Sequence, residues 1–197
     1  MPVAGPFDLV CRMAEILDDL GVPYALGGSM ASSLLGEPRS TVDVDIAVRL
    51  DGDSGESLIE RAGSWFYVPV ETARDAIRNH SAFNLVDTTS ALKVDLFVVG
   101  EGLLDRMQLE RRVRMDVPGA RDGIWVTAAE DQVLRKLDWF RQGASLSDRQ
   151  WRDVVGILRV HGRSMDLEYL TATARAVGLR EELAAALREV EGPGGAS

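Results

Sequence analysis

The chain has one cysteine in 197 residues. Cys11 therefore has no partner for an internal disulfide, and a reducing, cytoplasmic setting is expected. Histidine is almost as scarce, with two residues. His80 reads as a helix-end residue, and His161 ends a helix before Gly162, where a cation suits the dipole. No apolar run approaches the roughly 20 residues of a membrane span, and the first residues carry no basic n-region. Positive charge is also short: 22 Lys and Arg against 31 Asp and Glu give a net charge of −9. That balance argues against sequence-independent binding of long DNA or RNA, while leaving room for a local basic groove. The remaining composition, 46% hydrophobic and 27% charged, is that of a globular chain long enough to bury a core.

Two stretches organise the chain. Val22-Pro23-Tyr24-Ala25-Leu26 reads as a short buried strand, followed by the turn Gly27-Gly28-Ser29 and a short helix over Met30 to Leu35. Glycines there let the backbone approach a phosphate, and the helix beyond offers free N–H groups. Val42 to Val48 then alternates as a strand, with Asp43 and Asp45 on one face and Val44, Ile46 and Val48 on the other. Two carboxylates on one face repel each other unless something positive lies between them, and a divalent metal is the usual answer.

The turn Gly28-Ser29, a spacer, and Asp43-Val44-Asp45 on a strand resemble the signature of the polymerase-β-type nucleotidyltransferase superfamily. Asp95, within Leu92 to Val99, fits that signature's third carboxylate. The wording Arg39-Ser40-Thr41-Val42-Asp43-Val44-Asp45 is similar to the branch containing AbiEii-type abortive-infection toxins and their relatives. The resemblance covers roughly the first half of the chain. It implies an α+β fold, a small mixed β-sheet with flanking helices followed by a C-terminal helical lobe. It also implies transfer of a nucleoside monophosphate from an NTP to a hydroxyl-bearing acceptor, namely RNA, protein or a small molecule. Asp43 and Asp45 would bind two magnesium ions and Asp95 one of them, with Gly27, Gly28 and Ser29 holding phosphates. Arg39 would support the aspartate strand, and Lys136 would steady phosphate or base. Lys136-Leu137 and Arg152-Asp153 are similar to two further motifs of the toxin branch, so Arg152 and Asp153 count as accessory residues. Lys93 either pairs with Asp95 or leans toward phosphate. A toxin role would imply an antitoxin partner.

The periodicities predict helices over Phe7 to Leu20, Glu56 to Ala62, Glu71 to His80 and Gly102 to Arg112. Trp65 to Val70 reads as strand, Phe83 to Asp87 and Ala91 to Val99 as a hairpin, and Val113 to Val117 and Ile124 to Val126 as short strands. Asp51 to Glu56 fails as a calcium loop, because Glu56 stands where the glycine belongs and Ala62 where the glutamate belongs. Thr127-Ala128-Ala129-Glu130 has the pattern of a capping box for a helix over Ala128 to Gln142. Lys136 borders that helix's apolar stripe and must either snorkel outward or reach a buried anion. Further helices follow over Asp148 to Val160, Asp166 to Val177 and Arg180 to Glu189, with a frayed tail from Glu191. These readings divide the chain into residues 1–126, 127–190 and 191–197. The four tryptophans are expected in the core and not as base-stacking platforms, with Trp139 the one that could be exposed near Lys136. Two rivals to catalysis remain: a nucleotidyltransferase-like module that binds without turnover, and a sugar-nucleotide glycosyltransferase using the Asp-x-Asp pair.

Overall fold

The computed structural model describes residues 5–143 and 147–192. These form two compact units, one of residues 1–30 and 40–127, the other of 31–39 and 128–197. The expected tail lies outside the described residues from residue 193 onward.

The first unit is built on a mixed sheet of seven strands. They are β1 (Tyr24–Leu26), β2 (Val44–Val48), β3 (Phe66–Tyr67), β4 (Ala82–Asp87), β5 (Lys93–Val98), β6 (Val113–Met115) and β7 (Ile124–Val126), in the order β3-β4-β5-β2-β1-β7-β6. Strand β2 runs parallel to β5 and antiparallel to β1, which is parallel to β7. The expected hairpin is present between β4 and β5. Its turn is organised by Asp87, whose carboxylate accepts hydrogen bonds from the Thr89 and Ser90 N–H groups and hydroxyls. Burial pushes the Asp87 carboxyl up, but those bonds outweigh it and bring its pKa down to about 2, and Arg12 pairs with it at 2.9 Å.

Helices α1 (Pro6–Asp19), α3 (Gly52–Ala62), α4 (Val70–Asn79) and α5 (Leu103–Glu110) complete this unit. Helix α1 starts on a proline, which lacks the N–H that would be orphaned there, and buries Leu9, Met13, Ile16 and Leu17. Helix α3 starts four residues earlier than expected, because the Asp51 side chain accepts from the Ser54 N–H and caps it. Strand β3 is shorter than expected, since Pro69 precedes α4 and the chain turns helical at Val70. The tryptophans are a correction: none is fully buried, and Trp65 is 51% exposed with the Arg12 guanidinium stacked 4.7 Å over it. The Arg112 and Arg114 guanidiniums lie 4.7 and 5.1 Å from the Trp125 ring centre, so cation–π contacts do what core packing was expected to do.

The second unit consists of α6 (Ala129–Arg141), α7 (Ser147–His161), α8 (Leu167–Ala176) and α9 (Arg180–Glu191), joined by residues 31–39. Those residues include the end of α2 (Gly28–Leu35), which bridges the two units in sequence. Its core is Val133, Leu134, Leu137, Val154, Ile157, Leu158, Leu170 and Leu183. Residues 36–39 belong here because Gly36 lies flat on α7: a β-carbon at Gly36 would stand 3.0 Å from the Ile157 nitrogen. Polar ties reinforce the packing, with Gln132 donating to Ser32 at 2.8 Å and Tyr169 to Asp131 at 2.5 Å.

The capping box at Thr127 is corrected as well. Ala128 is the N-cap of α6, and Thr127 stays in line with β7, its N–H bonded to the Leu26 carbonyl. Its hydroxyl is fully buried and makes no hydrogen bond among the described residues. Thr127→Val is therefore expected to leave stability unchanged or raise it slightly, because an unpaired hydroxyl gives way to a methyl of the same shape. Chemical denaturation checks this, and a loss of about 1 kcal/mol, typical of a removed cap, would contradict it.

Candidate functional site

The site of the first unit is assembled by strand register. Asp45 on β2 stands directly opposite Asp95 on β5, and β4 places Asn84 opposite Asp95 on the other side. Neighbouring residues in register point to the same face, so Asp43, Asp45, Asp95 and Asn84 share one side of the sheet. The opposite side is sealed by Val44, Ile46, Val94 and Leu96, all fully buried. Further along the acidic side, Ala25 and Ala47 are closed over by Leu109 of α5. Asp43 is exposed, while Asp45 and Asp95 are half-buried.

The glycine turn meets this face. The Gly27 N–H donates to the Asp45 carbonyl at 2.8 Å, which ties the turn to β2. Gly28 has φ of +59°, and a β-carbon on it would stand 1.8 Å from Oδ2 of Asp45. Only glycine fits there, for reasons of conformation and of space. Helix α2 begins at Gly28, so the N–H groups of its first turn, Ser29 included, start beside the Asp45 carboxylate. The spacing in sequence had placed these residues near one another, and the register brings them into contact.

Electrostatics mark the same place. Burial raises the Asp95 carboxyl above its ordinary value, Lys93 pulls it partly back, and Asp43 pushes it up again. Ionised Asp95 thus opposes folding. Its contribution favours the fold below the ordinary carboxylate range and is lost as pH rises through the raised folded value. Asp95→Asn is expected to melt higher than wild type at pH 7 in EDTA, with the gap closing toward acid pH. A thermal melt in which the variant unfolds earlier at pH 7 would contradict the crowding.

Oxygen donors of this kind suit a hard divalent cation such as magnesium. Asp43, Asp45 and Asp95 supply three carboxylates on one face. Among the described residues no group of three His, Cys, Asp or Glu side chains is placed to hold a metal ion. Asp43 stands one residue ahead of β2 and is exposed.

The predicted residues of the second unit cluster with one another. Lys136 Nζ lies 2.9 Å from Asp153, and the two side chains are 2% and 6% exposed. The Arg39 guanidinium binds the same carboxylate through Nε at 3.0 Å and Nη2 at 3.2 Å. Burial pushes Asp153 up, but the Arg39 bonds and Lys136 outweigh it, and the carboxyl settles below its ordinary value. Of the two sequence expectations for Lys136, the buried anion is the one realised. Arg152 is exposed, and its Nε donates to the Asp148 carbonyl.

Asn84 was missed in the sequence, although the alternation of buried Phe83 and Leu85 in β4 assigns it to the acidic side once the hairpin register is known. Thr127 was read as a helix cap, and nothing in its pattern signalled that its hydroxyl would lie near Gly27.

No family model matches the chain, and no curated protein matches it in sequence. Solved structures do. A crystal structure of an antigenic nucleotidyltransferase-like protein from Paracoccidioides brasiliensis superposes with a TM-score of 0.55 at 22% identity, covering 92% of this chain and 91% of that one. The antibiotic-resistance factor ANT(2'')-Ia matches in its solution structure with a TM-score of 0.50 at 12% identity, covering 91% of this chain and 96% of that one. Its crystal structure in complex with adenylyl-2''-tobramycin gives 0.51 at 12% identity over 85% of this chain and 95% of that one. The α+β fold is therefore nucleotidyltransferase-like, with a mixed sheet and C-terminal helices. No helix of the described residues is long and apolar enough to cross a membrane.

Proposed function

We propose that this chain moves a nucleoside monophosphate from a nucleoside triphosphate to a hydroxyl-bearing acceptor, with magnesium. The observation that carries the reading is the contact of Gly28 with Asp45 beside Asp95, which puts a phosphate-compatible turn against two carboxylates. Nucleotidyl transfer needs charge neutralisation and in-line placement more than covalent chemistry, and this arrangement serves both. Two bound magnesium ions would neutralise triphosphate oxygens and template the displacement, held by Asp43 and Asp45 together and by Asp95 for one of them. The N–H groups of Gly27, Gly28 and Ser29 would hold the outer phosphates, with the α2 dipole adding to the attraction. Asp95, half-buried and in register with Asp45, would also take the proton of the attacking hydroxyl. Lys93, exposed at the start of β5, would steady that charge.

Lys136 and Arg39 take positioning parts in this reading, because both spend their charge on buried Asp153. Arg39 stands four residues before Asp43 in the chain, so its hold on Asp153 would restrain the approach to β2. The acceptor is a hydroxyl on an RNA end, a protein side chain or a small molecule. The ANT(2'')-Ia complex with adenylyl-2''-tobramycin supports the last of these as one class within the fold. A toxin role with an antitoxin partner predicts growth arrest on expression. The test is incubation with magnesium, α-labelled NTPs and cell extract. Label in one molecular class names the acceptor, and no label with any NTP rejects transfer.

A second reading has one observation in its favour, that no three acidic or histidine side chains among the described residues are placed to hold a metal ion. In it the chain binds nucleotide without turnover. Nucleotide binding with no release of pyrophosphate would separate it from catalysis.

A further inference from the structure

In the second unit, Ser32, Glu37, Arg39, Arg149, Arg152 and Asp153 line a cavity of about 220 Å³. That is below the roughly 300 Å³ at which pockets begin to take drug-sized ligands, so it suits a small ion or one group projecting from a larger molecule. Three arginines and two acidic residues line it, and both acids already have cationic partners. Asp153 is shared between Arg39 and Lys136. Glu37 lies 3.5 Å from Arg159.

The helix geometry points the same way. Arg149 and Arg152 sit in the first two turns of α7, at the end where the helix dipole is positive. Cations there are ordinarily unfavourable, and an anion between them would reverse the sign of that interaction. The cavity walls are set by packing. Gly36 lies against α7 with no room for a side chain, and Gly156 packs on Glu37. Arg39 is already oriented by its two bonds to Asp153. Guanidinium groups bind phosphate oxygens in pairs, with hydrogen bonds strengthened by charge, and the Ser32 hydroxyl adds a neutral polar group to the wall.

We infer that this cavity is a phosphate-binding site formed by Arg149, Arg152 and Ser32, with Arg39 held in its wall by Asp153. It goes beyond the transfer reading and stands whether or not Asp43, Asp45 and Asp95 carry out chemistry. Its occupant is either a free oxyanion or the phosphodiester of a larger molecule. A polycationic ligand is repelled by the same arginines.

The test is calorimetry on the full chain in EDTA at fixed ionic strength, with no NTP present. Inorganic phosphate, pyrophosphate and a 5′-phosphorylated oligonucleotide are the three probes. Wild type is expected to bind at least one of them. Arg149→Ala and Arg152→Ala change exposed side chains, and each is expected to weaken binding about tenfold. Arg78→Ala and Arg163→Ala, made singly, remove the same one charge at exposed positions elsewhere, and each is expected to keep wild-type affinity. Binding of phosphate or pyrophosphate supports the site with a free oxyanion as source, and binding of the oligonucleotide alone supports it with a phosphodiester. Binding of none, or equal weakening by both pairs of substitutions, overturns the site. Because magnesium and NTP are absent, failure here is separate from failure of nucleotidyl transfer.

Discussion

Asp43→Asn is expected to lower nucleotidyl transfer by at least about a thousandfold, roughly 4 kcal/mol of transition-state stabilisation. The substitution keeps shape and hydrogen-bonding capacity but removes the charge that would hold magnesium. Asp43 is exposed and precedes the ladder of β2, so nothing in the packing depends on it. The variant should therefore melt close to wild type. A steady-state assay with labelled NTP and a melt on the same preparation read both quantities. Transfer within tenfold of wild type would remove Asp43 from the site, and a large drop in melting temperature would make the loss uninterpretable as chemistry.

Asp153→Ala is expected to have the largest effect on stability. It strands the Lys136 ammonium, 2% exposed, and takes from Arg39 the carboxylate that holds it. Breaking a buried pair by removing one partner costs about 3–5 kcal/mol, because the remaining charge is buried without compensation. For a chain of this size that corresponds to a drop of roughly 10 °C in melting temperature. Adding Lys136→Met should recover part of the loss, since the uncompensated charge goes with it. Chemical denaturation of both variants checks the pair, and a double variant no more stable than the single one would contradict the account. The same pair sets an acid limit. Asp153 is depressed in the fold, so its contribution is present above the ordinary carboxylate range and is lost as pH falls through its folded value.

Much of this was legible in the chain because it is local. Alternation in Val42 to Val48 and Leu92 to Val99 put Asp43, Asp45 and Asp95 on the polar sides of their strands, and the helix stripes followed from spacing. The pairing of β2 with β5 is not local. Asp45 and Asp95 are fifty residues apart in sequence, and their exact opposition depends on a parallel register that no short window encodes. The membership of residues 31–39 was hidden for the same reason, being decided by Gly36 lying on α7 and Arg39 reaching Asp153. Thr127 carried a valid capping pattern, but its backbone bond to Leu26 kept it in line with β7, and tertiary pairing overrode the local preference. The tryptophans were misplaced because hydrophobicity alone does not register the arginines that cover Trp65 and Trp125.

The most direct measurement is calorimetric titration of a non-hydrolysable NTP into the full chain, with magnesium and then with EDTA. Saturable binding is predicted with magnesium, lost on chelation and lost again in Asp45→Asn. Equal binding in EDTA, or unchanged binding in the variant, would mean that the acidic side of the sheet does not grip the triphosphate through a metal.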